Sequence, residues 1–387
     1  MNWKLFIAVV MFSSVMFSQQ NDQQESQQDS LRVVNRLLEY NNARKLTLGG
    51  YAQIDYNEPD GHVPGNLDVH RLVLLFGYKF SDKVSFLTEI ELEHVKEVYV
   101  EQAFVNYSFS TAFNLRGGLM LVPMGYVNEY HEPPVFYGVE RPGLDKYVVP
   151  TTWRELGIGA TGNLSNLSLR YQAYIFNGFI SYKDGEGTLR GVDGLRKGRQ
   201  KGAESVIQTP NLSFKLDYYG ILGLKVGFAG YFGKTQTDDP SVEHSTVGVS
   251  MVGLNASYLY RDLTLRGQYI FTSLSGTEEY NDLTGKDLGS KLDGYYLEAA
   301  YNFMPLIAQN SSKTLSVFGR YETYNTHADT AGDLEINEVY DRNDVTVGID
   351  FKIAPGVAVK ADYQWLTNAK EGSDRNNLFN AGIGLMF

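Results

Sequence analysis

From Leu46 to the last residue the chain is written in a two-residue period. Apolar side chains alternate with polar or small ones over stretches of about ten residues, the length of a tilted membrane-crossing strand. An extended strand sends successive side chains to opposite faces, so the alternation puts the apolar set on one face and the polar set on the other. In the first stretch Leu48, Ala52, Ile54 and Tyr56 oppose Thr47, Tyr51, Gln53 and Asp55. In the second, Leu72, Leu74, Phe76, Tyr78 and Phe80 oppose Arg71 and Lys79, and in the third Val84, Phe86, Ile90 and Leu92 oppose Ser85, Glu89, Glu91 and Glu93. The rule persists far downstream, where Leu263, Leu265, Tyr269 and Phe271 oppose Arg266 and Gln268, and Val345, Val347, Ile349 and Phe351 oppose Asp350 and Lys352.

About sixteen stretches follow this rule. They fall at 46–56, 67–80, 83–94, 98–109, 113–122, 155–162, 167–178, 209–219, 223–234, 247–260, 263–273, 294–303, 314–324, 343–353, 356–367 and 377–387. Two irregularities stand out. Glu101 falls on the apolar side of its stretch, which predicts a β-bulge there, and the stretch 247–260 reads as switching parity near Met251.

The connections alternate as well. Short turns such as Ser81-Asp82, Arg261-Asp262 and Ala354-Pro355-Gly356 take turns with longer polar loops at 57–66, 123–154, 179–208, 235–246, 274–293, 325–342 and 368–376. Tight turns at one end and long loops at the other, joined by an even number of strands, predict an all-β fold: a transmembrane antiparallel β-barrel of about sixteen strands. A soluble sandwich or propeller would not sort its loops in this way.

Composition sharpens this picture. Aromatics make up 13% of the chain, with 27 Tyr and 21 Phe, while the mean hydropathy is −0.26, as expected of an apolar outer face around a wet interior. Lys4, the apolar run Leu5 to Phe17 and the small Ser18 read as a signal peptide over 1–18. The polar segment 19–45 follows, with Leu31, Val34, Leu37 and Leu38 at the spacing of a short periplasmic helix. The barrel then spans 46–387. Its last stretch ends Phe379, Ala381, Ile383, Leu385, Phe387 on one face, and the aromatic Phe387 is expected to act as the signal read by the barrel-assembly machinery. Together these place the protein in the bacterial outer membrane, surrounded by its lipid. The net charge of −11 disfavours nucleic acid as a partner.

Charges on the opposite parity should face the lumen, because a charge on the lipid side costs about 2–4 kcal/mol at mid-membrane. The basic candidates for lining a pore and selecting anions are Arg71, Arg116, Arg170, Lys215, Arg266, Arg320 and Lys360, faced by an acidic wall of Glu89, Glu91 and Glu93. The strand direction puts many of the acids in the outer half and most of the bases at mid-height or below. Arg116, Arg170 and Arg266 are expected near mid-height, where a loop should narrow the pore. That loop is 123–154, whose prolines and aromatics suit an ordered, inward-folded segment. Glu129, His131, Glu132, Arg141, Lys146 and Arg154 are its constriction candidates. The loop 179–208, rich in Lys, Arg and Gly, either attracts anions to the mouth or is simply mobile and solvated. There is no cysteine, and the His residues show no ligand-like spacing, so no metal site and no cofactor are expected. Asn128, His131 and Glu132 are the densest polar set but lack a nucleophile, and no enzyme is expected.

The run Leu115-Arg-Gly-Gly-Leu-Met-Leu-Val-Pro-Met-Gly-Tyr126, leading through the long loop to Arg154-Glu-Leu-Gly-Ile-Gly-Ala-Thr-Gly162, resembles the phosphate-selective porin O/P family. The strand opening Val69-His-Arg-Leu and the terminal Phe387 are similar to it too. The resemblance implies a sixteen-stranded, usually trimeric porin with an inward-folded third loop and a ladder of lumenal arginines that guides phosphate. Here carboxylates share the lumen in equal number: with Asp55, Glu155, Asp217, Glu298, Glu322, Asp350 and Asp362 the inward strand acids come to ten, and with Lys79, Lys225 and Lys352 so do the inward strand bases. The expected function is passive passage of small hydrophilic solutes, with a mild preference for anions. The alternative is a structural or accessory barrel in a larger outer-membrane assembly.

Overall fold

The computed structural model of the protein describes residues 45–373 and 375–387. The expected leader and periplasmic helix lie outside the described residues. Sixteen antiparallel strands close on themselves: β1 (Leu46–Pro59), β2 (Asn66–Lys79), β3 (Val84–Glu93), β4 (Glu97–Ser110), β5 (Phe113–Leu121), β6 (Arg154–Leu164), β7 (Leu169–Phe176), β10 (Asn211–Ile221), β11 (Leu224–Lys234), β13 (Gly248–Tyr260), β14 (Leu263–Ser275), β15 (Lys291–Asn302), β16 (Thr314–Asp329), β17 (Asp341–Ala354), β18 (Val357–Asn368) and β19 (Leu378–Met386). Three short strands, β8 (Ile180–Lys183), β9 (Glu186–Gly187) and β12 (Gln236–Thr237), form a separate small sheet in the loops. All sixteen stretches marked by the two-residue period are barrel strands.

Each barrel strand pairs with its neighbours in chain order, and β1 pairs with β19 to close the seam. Closure leaves no open strand edge, which a bilayer would not tolerate. At the seam Phe387 exchanges both backbone hydrogen bonds with Gly50, at 3.0 and 2.9 Å. The outward face is apolar, with Leu48, Ile54, Ile158, Phe228, Leu254, Leu297 and Ile349 all exposed. Aromatic residues Tyr78, Phe80, Tyr107, Phe109, Phe113, Tyr258, Tyr260, Phe303 and Phe387 gather toward the short-turn end, and Tyr295, Tyr321, Tyr363, Trp365 and Phe379 toward the other. Paired aromatic girdles of this kind anchor a barrel at the two lipid–water interfaces.

The bulge falls where the period broke. Glu89 pairs with Gln102 but Ile90 pairs with Val100, so Glu101 is an extra residue, and both Glu101 and Gln102 are buried inside. The expected parity switch near Met251 does not occur. β13 alternates without interruption from Gly248 to Tyr260, and its pairing to β11 and β14 shows no register shift. Val249 and Met251 are inward and fully buried. An apolar residue on the lumen side mimics a phase change in the pattern, because Met251 packs against the inward loop and not against water.

Candidate functional site

The lumen is filled along much of its wall because the segment from Val122 to Trp153 folds into it. Gly125, with φ 78°, turns the chain after β5, and single helical turns at Tyr126–Glu129 and Leu144–Tyr147 keep the segment compact. Val122, Met124, Leu144, Val148, Val149 and Trp153 join Tyr51, Val73, Leu75, Leu87, Met251, Ile270 and Tyr324 of the barrel in one buried apolar cluster. Burial of each such side chain contributes about 1.5–3 kcal/mol. Close approach also needs small residues on the wall. A side chain at Gly384 of β19 would place its Cβ 2.7 Å from Pro133.

The polar wall residues behind this loop hold it in place. Lys360 donates to the carbonyl oxygens of Pro133, Phe136 and Gly138, at 2.5 Å to Pro133 and 3.0 Å to Gly138. Arg266 donates to Val135 O at 3.1 Å and pairs with Glu298 at 3.6 Å. Arg320 bridges Glu298 and Glu322 at 3.5 and 3.2 Å, and Glu322 accepts from Leu144 N. Asp362 accepts from Val139 N at 2.6 Å. Lys215 pairs with Glu129 of the loop, which also accepts from Gln172 at 2.6 Å. The period correctly turned Lys215, Arg266, Arg320 and Lys360 inward. The expectation that they line open water is corrected, since all four are buried against the loop. Arg266 therefore does not join Arg116 and Arg170, and those two do not sit at mid-height: Arg170 is the second residue of β7, and both line the cavity at the short-turn end beside Ser81, Asp82 and Thr111.

Along the other side of the barrel the described residues leave open space that includes two cavities. The outer one, about 240 Å³, is lined by Arg71, Arg141, Lys146, Arg154, Arg196, Arg199 and Lys201, against Glu91, Glu93 and Glu140. The inner one, about 530 Å³, is lined by Lys79, Lys83, Arg116 and Arg170, against Asp82, Glu89, Glu129, Glu132 and Asp217. The folded loop lies between them: Arg141 and Lys146, with Arg154 just beyond it, look outward, while Glu129, His131 and Glu132 look inward. The strands do bring acids to the outer half, Glu91 and Glu93 among them, but the cavity there is mostly basic because the two long loops add their cations to its lining.

The segment 179–208 supplies three of those cations and is ordered. Phe179, Leu189 and Leu195 are buried, and Trp153 stacks on Phe179 and packs on Tyr231 with ring centroids 4.5 and 4.6 Å apart. Arg196 and Arg199 donate to Thr151 of the inward loop. Lys201 lies over the Tyr99 ring at 4.6 Å, with Arg154 over the same ring at 5.6 Å. Burial, with Arg196 and Arg154 close by, pulls the Arg199 group down to about 9. Burial and the same arginine neighbourhood lower the Lys201 ammonium as well. A guanidinium keeps its charge in a protein, so these shifts record burial first and the crowding of like charges second. The sequence marked this loop as basic but could not say which way its side chains turn.

In the inner cavity Arg116 donates to Asn106 at 3.0 Å and lies over Phe104, while Arg170 lies over Tyr219. Arg71 pairs with Glu91 at 3.4 Å and with Glu101 at 3.8 Å. Asn128 bridges Val122 O, Trp153 O and Trp153 N and so serves the loop's own fold.

The family model for phosphate-selective porin O and P matches residues 46–387, the whole barrel. The chain belongs to that family. An uncharacterised protein of Aquifex aeolicus is 33% identical over 366 residues, covering 90% of this chain and 81% of that one. Among solved structures, an OmpF of Salmonella typhi, in complex with daunomycin, aligns with a TM-score of 0.60 at 13% identity, over 90% of this chain and 99% of its own. The anion-selective porin from Comamonas acidovorans aligns at 0.57 and 15% identity, over 88% and 99%. A trimer form of OmpT from Vibrio cholerae aligns at 0.54 and 13% identity, over 88% and 99%. These likenesses concern the fold. With the family they make the protein an outer-membrane β-barrel channel.

Proposed function

We propose that this family member is a passive porin that admits small hydrophilic solutes, favours anions, and assembles as a homotrimer. The observation that carries the anion preference is the outer cavity, where seven basic side chains meet three carboxylates. Lining charges in a narrow, low-dielectric passage outweigh the net charge of the whole protein, so the total of −11 does not set the selectivity. Guanidinium forks suit oxyanions, phosphate among them. The family's name and the anion-selective fold neighbour support the same reading, and the trimeric neighbour supports the assembly.

Planar-bilayer recordings in a potassium chloride gradient test this directly. The reversal potential is expected to have the sign of an anion-preferring channel, and added inorganic phosphate is expected to reduce chloride current. A cation-preferring channel would overturn the anion reading and leave a general porin. A barrel that inserts but conducts nothing would favour the accessory role.

A further inference from the structure

The β-bulge in β4 has a chemical consequence. It turns Glu101 into the lumen beside Glu89 of β3 and His131 of the inward loop, and one ligand-type atom from each of the three lies within 4.8 Å of the others. All three residues are buried. We propose that Glu89, Glu101 and His131 form a binding site for a divalent first-row transition ion, which clips the inward loop to the β3–β4 wall.

Hydrogen-bond accounting points to a ligand. His131 Nδ1 faces the carbonyl oxygen of Asn128 at 3.2 Å, an acceptor, so that nitrogen carries the proton. The lone pair of a neutral ring then sits on Nε2, which faces the Tyr51 hydroxyl at 2.8 Å and Glu101 Oε2 at 3.4 Å. Tyr51 has one hydroxyl proton and gives it to Glu101 at 2.8 Å. With a neutral ring, one hydroxyl proton must serve both Nε2 and Glu101; the shortage is met either by a proton on Nε2, which pairs it with Glu101, or by a metal ion held by Nε2 while the carbonyl keeps Nδ1 oriented.

A second observation is independent of those bonds. Glu101 is 0% exposed, yet its Oε1 has no hydrogen-bond partner. The nearest cation to it is Arg71, at 3.8 Å, which must also serve Glu91. Three buried carboxylates, Glu89, Glu91 and Glu101, gather here around Arg71 and His131, and a proton shared between carboxyls or a divalent ion would balance the charge left over. Glu89 is oriented by Gln102 Nε2 at 2.9 Å, a supporting contact of the kind that ligand carboxylates need. Two carboxylates and one imidazole suit Zn²⁺, Mn²⁺ or Fe²⁺, with Zn²⁺ bonds of about 2.0–2.2 Å drawing the three side chains slightly together. Glu89 and His131 also line the inner cavity, which provides a route of entry and room for a water ligand.

The test uses the full chain in detergent, stripped with a chelator and titrated with zinc chloride alone in a calorimeter. One equivalent per chain is expected to bind at micromolar concentration or below. Glu101→Gln and His131→Gln should each weaken that binding at least tenfold. His94→Gln should leave it unchanged; His94 and His70 form a separate pair at the outer rim, with ring centroids 5.5 Å apart and Asp68 and Asp55 nearby. X-ray absorption of the zinc-loaded wild type keeps the proposal falsifiable if a variant fails to assemble. A shell of nitrogen and oxygen with a single imidazole supports the site. Absence of stoichiometric uptake, a two-imidazole shell, or loss in His94→Gln but not in His131→Gln would overturn it.

Discussion

Two groups of cations point into the same lumen and live in different physics. Lys215, Arg266, Arg320 and Lys360 come from strands, are buried, and are spent on carboxylates and on backbone carbonyls of the inward loop. Arg141, Lys146, Arg196, Arg199 and Lys201 come from loops, line open space, and outnumber the acids around them. The first group holds the loop against the wall. The second lines open space, and under the proposed function it sets the potential that an entering ion meets. Facing the lumen and facing open space are therefore separate properties.

The contrast can be broken most strongly at Lys360. Changing it to Met removes the donor shared by three loop carbonyls and takes one cation from the buried Asp350, 3.9 Å away, leaving Lys352 as its neighbour. Breaking a buried pair of this kind costs about 3–5 kcal/mol. Unfolding of the barrel in lipid vesicles should show that loss, and single-channel traces should become noisier as the loop loosens. A stable, quiet Lys360→Met channel would mean that the strand cations are not anchors.

A smaller effect separates the outer face from the open lumen. Lysine at Ile349, exposed to lipid on β17, should cost about 2–4 kcal/mol. Lysine at Asn114, on the wall of the inner cavity, should cost less than about 1 kcal/mol. Equal losses in the same vesicle assay would reverse the inward and outward assignment. The period alone would also have nominated Gln268 and Thr346 as harmless lumen positions. Both are buried, Gln268 bonded to Asp145 of the loop and Thr346 to Arg320, and lysine there should be costly.

The loop cations should behave in the opposite sense to Lys360. The double change Lys146→Gln with Lys201→Gln removes two charges from the outer cavity. Stability should stay within about 0.5 kcal/mol, while the reversal potential in a salt gradient moves toward zero. A destabilised barrel with unaltered selectivity would place these residues with the anchors.

The mildest effect is one of pH. A lysine held below its ordinary value, as burial and its arginine neighbours hold Lys201, loses its charge earlier as pH rises. Anion preference should therefore begin to fall before the ordinary lysine range near ~10.4 is reached. In the Lys201→Gln channel that early decline should be absent, and its persistence would assign the titration to another group.

The chain's own pattern determined the barrel. Sixteen strands, the face each side chain takes and the bulge at Glu101 all follow from local geometry, because pleating fixes a two-residue alternation and one extra residue shifts its phase. The alternation of short and long connections likewise gave the direction of each strand. What the pattern could not carry was the path of the long loops. The apolar inward residues Val73, Leu75, Leu87 and Met251 were the trace of a loop pressed against them, legible only once a lumen is allowed to be partly filled. Whether Lys360 meets water or Pro133 depends on where a segment more than 200 residues earlier in the chain comes to rest. Glu89, Glu101 and His131 come from two neighbouring strands and a loop, with no spacing to announce them. Strand parity is set by neighbours along the chain, whereas the fate of each inward charge is set by packing across the lumen, and that was decided by the tertiary structure alone.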